Sequence, residues 1–157
     1  LVEKTASVGY HNYEFSNFGK EGFYSQNNMA YWQGKNYLGV GPSAHSFDGK
    51  KRSWNINNNI KYIHVIQENK LPIEREVLTI TDRYNEYLMT GLRTMWGVSI
   101  SKIDLEFGKA FATYLLKQAE KPLEEGLLKI HNKDTLLITE KGKFLSDGIA
   151  SNLFMVE

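Results

Sequence analysis

The chain has no cysteine among its 157 residues. That absence excludes disulfides, a cysteine nucleophile and thiolate ligation of an iron–sulfur cluster by this chain taken alone. Prolines are scarce, at Pro42, Pro72 and Pro122, so extended helices have room to form. There is no run of about 18 apolar residues, which rules out a membrane-spanning helix, and residues 1–10 lack the apolar core of a secretory signal. Neither sign of charge dominates: 19 Lys and Arg against 18 Asp and Glu give a net charge of +1. With no basic tract, a nucleic-acid partner is not expected. The four histidines, His11, His45, His64 and His131, show no close metal-ligand spacing. The chain starts at Leu1, and so irregular a start is expected of a piece of a longer protein.

What is present is unevenly spread. The composition, 41% hydrophobic and 24% charged, is that of a globular protein, yet more than half of the aromatic residues and of the glycines fall before Asn55. Rings beside glycines and amides suit a backbone that comes close to a flat or polar ligand. Beyond Asn55 the apolar residues recur at helical spacing. The chain therefore divides into residues 1–55, a ligand-facing region, and residues 56–157, a helical domain.

In the first part, Asn12–Phe18 alternates as a strand with Tyr13, Phe15 and Asn17 on one face. Tyr37–Val40 and Ala44–Phe47 flank a tight turn and are expected to pair, and Asp48-Gly49 turns the chain back into Arg52–Trp54. In the second part, the spacing predicts a helix over 57–68 with Ile60, Ile63 and His64 on one face. Thr81 caps a second helix running to about Met95, with Tyr84, Tyr87, Leu88, Gly91, Leu92 and Met95 as its stripe. Ser99 or Ser101 caps a short helix ending at Gly108. A helix over 109–125, with Phe111, Leu115, Ala119 and Leu123 as its seam, is expected to kink or break near its end at Pro122. A hairpin over 127–138 follows, and Thr139 caps a last helix to about Phe154. Helix, short helix, helix, hairpin and helix is the layout of a winged-helix domain. The third of these helices mixes Lys109, Lys117 and Lys121 with Glu120, Glu124 and Glu125 and has no arginine, unlike a groove-reading helix. A packing role suits it better. The stripe and His64 read as core, and His131 as solvated.

Three groups of residues carry chemistry. Glu14 sits among aromatics, with Ser16 and Asn17 able to donate hydrogen bonds to it; fixing the strand end and touching a ligand are equally open readings. Asn27 and Asn28 precede Tyr31 and Trp32 by one helical turn, amides before rings that either cover a macrocycle or fill a core. Gly39, Gly41, Pro42, Ser43, Ala44 and His45 form a tight turn that can bring backbone amides to an anion or an adenine ring, or can be a buried hairpin. It lacks the lysine and length of a phosphate loop.

Together these motifs resemble a known family. Tyr-Glu-Phe-Ser-Asn-Phe (13–18), Asn-x-x-Tyr-Trp (28–32), Tyr-Leu-Gly-x-Gly-Pro-x-Ala-His-Ser (37–46) and Arg-x-Trp-Asn (52–55) occur in this order in the oxygen-independent coproporphyrinogen III oxidase-like radical SAM proteins, especially their heme-chaperone branch. Leu71-Pro72-Ile73, the helix from Arg83 ending in Trp96-Gly97, Glu125-Gly126-Leu127-Leu128 and Thr139-x-x-Gly142 are also similar. The resemblance implies an α+β chain: the last edge of a partial (β/α) barrel, then a helical C-terminal domain with a winged-helix-like end. In the intact protein a [4Fe–4S] cluster and S-adenosylmethionine would be bound, the cluster through three cysteines that this chain lacks. The Gly39–His45 turn would face S-adenosylmethionine. Glu14, Ser16, Asn17, Asn27, Asn28, Tyr31 and Trp32 would lie on the tetrapyrrole side, the partner being heme or coproporphyrinogen. The family's heme-linked motif begins with histidine where this chain has Asn27, and an amide is a poor ligand for heme iron. Ligation would then fall to His11 or His45. Gly19 also stands where alanine is usual. The radical chemistry is not expected of this chain by itself, and the location is expected to be cytoplasmic. A true coproporphyrinogen III dehydrogenase and, in another class, a non-enzymatic winged-helix module binding nucleic acid or protein are the alternatives. Exposed barrel-edge strands would leave residues 1–55 partly disordered or paired with a second copy.

Overall fold

A computed structural model describes residues 1–156. In chain order its elements are α1 (Val2–Ala6), β1 (His11–Asn12), β2 (Phe18–Gly19), α2 (Gln26–Trp32), β3 (His45–Phe47), β4 (Lys51–Asn55), α3 (Asn59–Gln67) and β5 (Ile73–Val77). There follow α4 (Ile80–Leu92), β6 (Val98–Ser99), α5 (Ile100–Phe107), α6 (Lys109–Glu124), β7 (Leu128–His131), β8 (Thr135–Ile138), a short 3-10 turn (Lys143–Leu145) and α7 (Ser146–Asn152). The class is α+β, with small antiparallel sheets.

The chain forms two compact units. One combines residues 1–33 with 80–157, and the other is 34–79. The compositional change at Asn55 falls inside the second unit, because Asn55 ends β4 in register with Ile73 of β5. Residues 1–33 join the larger unit through backbone pairing: the Met95 amide donates to the Tyr13 carbonyl at 3.0 Å, and Glu14 bridges Thr94.

The core of the larger unit is the helical stripe of α4 closed by its neighbours. Tyr84, Leu88 and Leu92 are buried with Val98, Ile103, Leu115, Leu136 and Leu153. Each such side chain contributes about 1.5–3 kcal/mol on burial. Tyr84 packs edge-on to Phe107 at 5.9 Å and tilted against Phe111 at 4.9 Å, and its hydroxyl donates to the Leu153 carbonyl. Chain order and strand order, β6-β8-β7, lay a three-stranded sheet beside α4, α5 and α6. Ser99 caps α5, as its spacing predicts, by accepting from the Lys102 amide at 3.1 Å.

Several expected elements differ. Asn12–Phe18 is not one strand but a hairpin, with Asn12 opposite Phe18. The Asn12 amide donates to the carbonyls of Glu14 and Asn17, and the Asn17 amide to the Glu14 carbonyl, folding the segment back on itself. α4 begins at Ile80 rather than being capped by Thr81, and ends at Leu92. Pro122 lies inside α6 without ending it, since the helix continues to Glu124. Of the helix expected after Thr139 only α7 is regular. The Thr139 hydroxyl accepts from the Gly142 amide, making a local turn instead of a helix cap.

In the smaller unit β3-β4-β5 is an antiparallel sheet. The Asp48 carboxylate closes the β3–β4 hairpin by accepting from the amides of Lys50 and Lys51. Tyr37–Val40 does not form a strand against Ala44–Phe47; a single bridge, Tyr37 to Phe47, is what remains of that pairing. α3 forms with Asn58 as its cap, but Ile60 and Ile63 on its apolar face are exposed. Asn69, at φ 58°, ends the segment in the left-handed region.

Candidate functional site

The residues singled out from the sequence fall into both units. In the smaller one, the Gly39–His45 turn is held from within. Its key member is Asn55, buried at the end of β4, whose amide donates to the carbonyls of Gly41 (2.8 Å) and Gly39 (3.4 Å). The Gly39 amide donates to the Ser46 hydroxyl, the Gly41 amide to the Tyr62 hydroxyl, and Ser43 Oγ to Asn57 Oδ1 at 2.6 Å. Gly39 has a steric reason: a Cβ there would stand 2.2 Å from the His45 carbonyl oxygen. Gly41 (φ 102°) and Ser43 (φ 62°) take left-handed backbone. The polar groups of the turn are thus bonded within its own unit. The turn borders a cleft of about 510 Å³ lined by Gly39, Val40, Ser46, Asn55, Tyr62 and Pro72, among others. Gly41, Pro42, Ser43, Ala44 and His45 lie outside that lining. His45 is exposed, its ring 6.2 Å from Trp54.

In the larger unit, Glu14 is buried, and its Oε1 accepts from both the amide and the hydroxyl of Ser16 (3.1 and 2.8 Å). Ser16 and Asn17 therefore serve the turn, fixing Glu14 as the sequence allowed. Glu14 also lines a cleft of about 200 Å³ with Asn12, Arg93, Lys129, Glu140 and Lys143. The charges there are largely matched. Arg93 pairs with Asp147 at 2.7 Å, and Lys143 reaches Glu140 and Asn12 at 3.0 and 3.1 Å.

On α2, Asn27 and Tyr31 are exposed, Asn28 and Trp32 half-buried. The Asn28 amide donates to Ser25 Oγ, the helix cap. Trp32 lines a cleft of about 190 Å³ with Tyr87, Trp96 and Lys102. An aromatic cluster joins Tyr13, Tyr24 and Trp96, with centroids 4.7–6.2 Å apart. His11 Nδ1 lies 2.7 Å from the Tyr24 hydroxyl, which orients the imidazole.

Sequence reasoning missed Tyr24, Trp96 and Asn55 as members of these sites. Trp96 and Asn55 lay within motifs read from the sequence, Trp-Gly and Arg-x-Trp-Asn. Nothing local marks Tyr24, which joins through tertiary packing. Among the described residues no group of three or more His, Asp or Glu side chains is placed to hold a metal ion. No helix among them is long and apolar enough to cross a membrane.

Comparison with known proteins adds a further line. Residues 78–145 match the family model described as HemN C-terminal domain. The heme chaperone HemW of Bacillus subtilis is 30% identical over 151 residues, which is 95% of this chain and 39% of that protein. The heme chaperone HemW of Lactococcus lactis is 29% identical over 149 residues, again 95% of this chain and 39% of the relative. A solved structure of coproporphyrinogen III oxidase (HemN) from Escherichia coli, described as a radical SAM enzyme, superposes with a TM-score of 0.72 at 20% identity, over 98% of this chain and 39% of that one. The chain thus spans about two fifths of the length of these two curated relatives.

Proposed function

We propose that the chain, which carries the HemN C-terminal domain over residues 78–145, supplies the C-terminal part of a heme-chaperone-like member of the oxygen-independent coproporphyrinogen III oxidase-like radical SAM family. The observation that carries this reading is the similarity to HemW heme chaperones over 95% of its length. In the intact protein, residues 1–55 would form the last edge of the barrel and its ligand-facing loops. Residues 56–157 would form the helical C-terminal domain. The order α4, β6, α5, α6, β7, β8, with strand order β6-β8-β7, supports a winged-helix-like end. A nucleic-acid role for that end finds no support in α6, whose exposed charges mix lysine and glutamate.

The groups implied by the family fit this chain unequally. A [4Fe–4S] cluster does not fit, because the chain offers no thiolate; its ligands would have to come from preceding chain. S-adenosylmethionine would meet the Gly39–His45 turn at its Gly39 end, which borders the cleft and where Asn55 holds the backbone; the amides of Gly39, Gly41, Ser43 and Ala44 are already bonded within the unit, so that contact would be one of shape and carbonyl surface. Heme iron fits His11 better than Asn27. The His11 ring is exposed and held at Nδ1 by the Tyr24 hydroxyl; in the tautomer whose Nδ1–H donates to that hydroxyl, the Nε2 lone pair is left to ligate iron, the arrangement in which an outer hydrogen bond orients a metal-binding imidazole. Asn27 offers only an amide. When bound, heme would be the cargo, with the exposed Tyr31 and the half-buried Trp32 of α2 as the rings to lie against it.

Titration of heme into the chain, followed at the Soret band, tests the assignment. The axial-ligand signature is expected to disappear in His11→Ala and to persist in His45→Ala. Its survival in the double variant would remove both histidines from ligation. Asn27→His is expected to add a second ligand signature. A true coproporphyrinogen III dehydrogenase remains the alternative within the family. It would be favoured if the protein, extended with its cluster-bearing portion, decarboxylated coproporphyrinogen III.

A further inference from the structure

The cleft bordered by Trp32 lies outside the loops assigned above, and its far wall belongs to the HemN C-terminal domain. Its walls are two indoles, Trp32 of α2 and Trp96 after α4, with the phenol of Tyr87 between α4 and α5. Gly91 and Gly97 also line it, so backbone rather than side chain forms part of the surface. Trp96 packs edge-on to Tyr24, while Trp32 makes no ring contact among the described residues. Two indoles therefore border one space without stacking on each other.

At the rim stands Lys102. Its ammonium lies 4.6 Å above the Tyr87 ring, and its acidic neighbour, Glu106, is 3.9 Å away, at the outer limit of an ion pair. The Tyr87 hydroxyl is occupied by the Ser99 amide at 3.0 Å, which holds the ring in place beneath the lysine. A cleft that sets indole and phenol surface beside Gln33, Thr94 and Ser99, with a lysine only distantly paired to Glu106, is complementary to the edge of a ring system carrying a carboxylate. At about 190 Å³ the cleft is smaller than the roughly 300–1,000 Å³ that encloses a whole drug-sized ligand. It has room for one edge of a larger molecule.

We propose that this cleft is a subsite for a tetrapyrrole edge, one ring lying between Trp32 and Trp96 and its propionate carboxylate meeting Lys102. This rests on the heme-chaperone reading above and deepens it, since it gives the C-terminal domain a direct share in the ligand. Iron plays no part in the subsite, so metal-free protoporphyrin IX is the proper probe. It would be titrated into the 157-residue chain and followed by porphyrin fluorescence. Lys102→Gln is expected to weaken binding about tenfold, the loss of one charge-assisted contact, and Lys102→Arg to retain it. The dimethyl ester of protoporphyrin is expected to bind the parent chain as weakly as the free acid binds Lys102→Gln. Trp32→Leu should weaken acid and ester alike. Equal affinity for Lys102→Gln and the parent chain would overturn the subsite while leaving the heme-chaperone reading intact. No porphyrin binding by the parent chain at all would overturn both.

Discussion

Asn55 joins sheet to loop with one side chain: buried at the end of β4, it donates to two carbonyls of the Gly39–His45 turn. Asn55→Ala leaves both carbonyls short of a partner. It is expected to cost about 1–3 kcal/mol, read as a lower urea midpoint reported by Trp54 fluorescence. Gly39→Ala should cost at least as much, because its Cβ would meet the His45 backbone and no side chain can move aside. Asp134 supplies a pH-dependent contribution. Hydrogen bonds from the Ser101 amide, and then from the Ser99 hydroxyl, hold its carboxyl below the ordinary carboxylate value. A folded-state pKa below the unfolded one means that the stabilisation is complete above about pH 4. It is lost as the pH falls through the lowered value. The stability gap between the parent chain and Asp134→Asn, measured by urea unfolding, is therefore expected to be constant from about pH 5 to 8 and to close at lower pH. A gap that widened on acidification would contradict the assignment.

Among the elements, α5 depends most on its start. Ser99 caps it, and Asp134, from the β7–β8 turn, binds both Ser99 and the Ser101 amide. Ser99→Ala is expected to cost about 1 kcal/mol, with hydrogen exchange accelerated in the first turn of α5 before any other part of the larger unit. This helix and its neighbours were legible in the sequence because local signals agree there: the Tyr84–Leu88–Leu92 stripe, Ser99 before the next apolar run and the hairpin at Asn132. Elsewhere the local signal misleads. Asn12–Phe18 alternates like a strand, but the amide of Asn12 bonds to backbone within the segment and bends it. The α3 pattern is amphipathic without an apolar partner in its own unit for Ile60. The candidate site was half legible. Glycines and amides marked the turn, whereas Tyr24 enters the aromatic cluster by packing that no spacing announces.

At the scale of the molecule, apolar burial is unequal. The fully buried large side chains all belong to the larger unit. Residues 34–79 bury few residues, Asn55, Pro72 and Leu78. Native-state hydrogen exchange is expected to show β3, β4 and β5 opening at lower free energy than α4 and α6. Equal protection in both units would contradict this. The larger unit is also discontinuous in sequence, since Tyr13 accepts its hydrogen bond from Met95. That geometry sets a timetable for birth on the ribosome. At about 5–20 residues per second, the partner of Tyr13 is made roughly 4–16 s after Tyr13 itself. Through that interval the rings of Tyr13 and Tyr24 are without Trp96, and a nascent chain stalled before Met95 should be a better client for a hydrophobic-segment-binding chaperone than one stalled after Leu153.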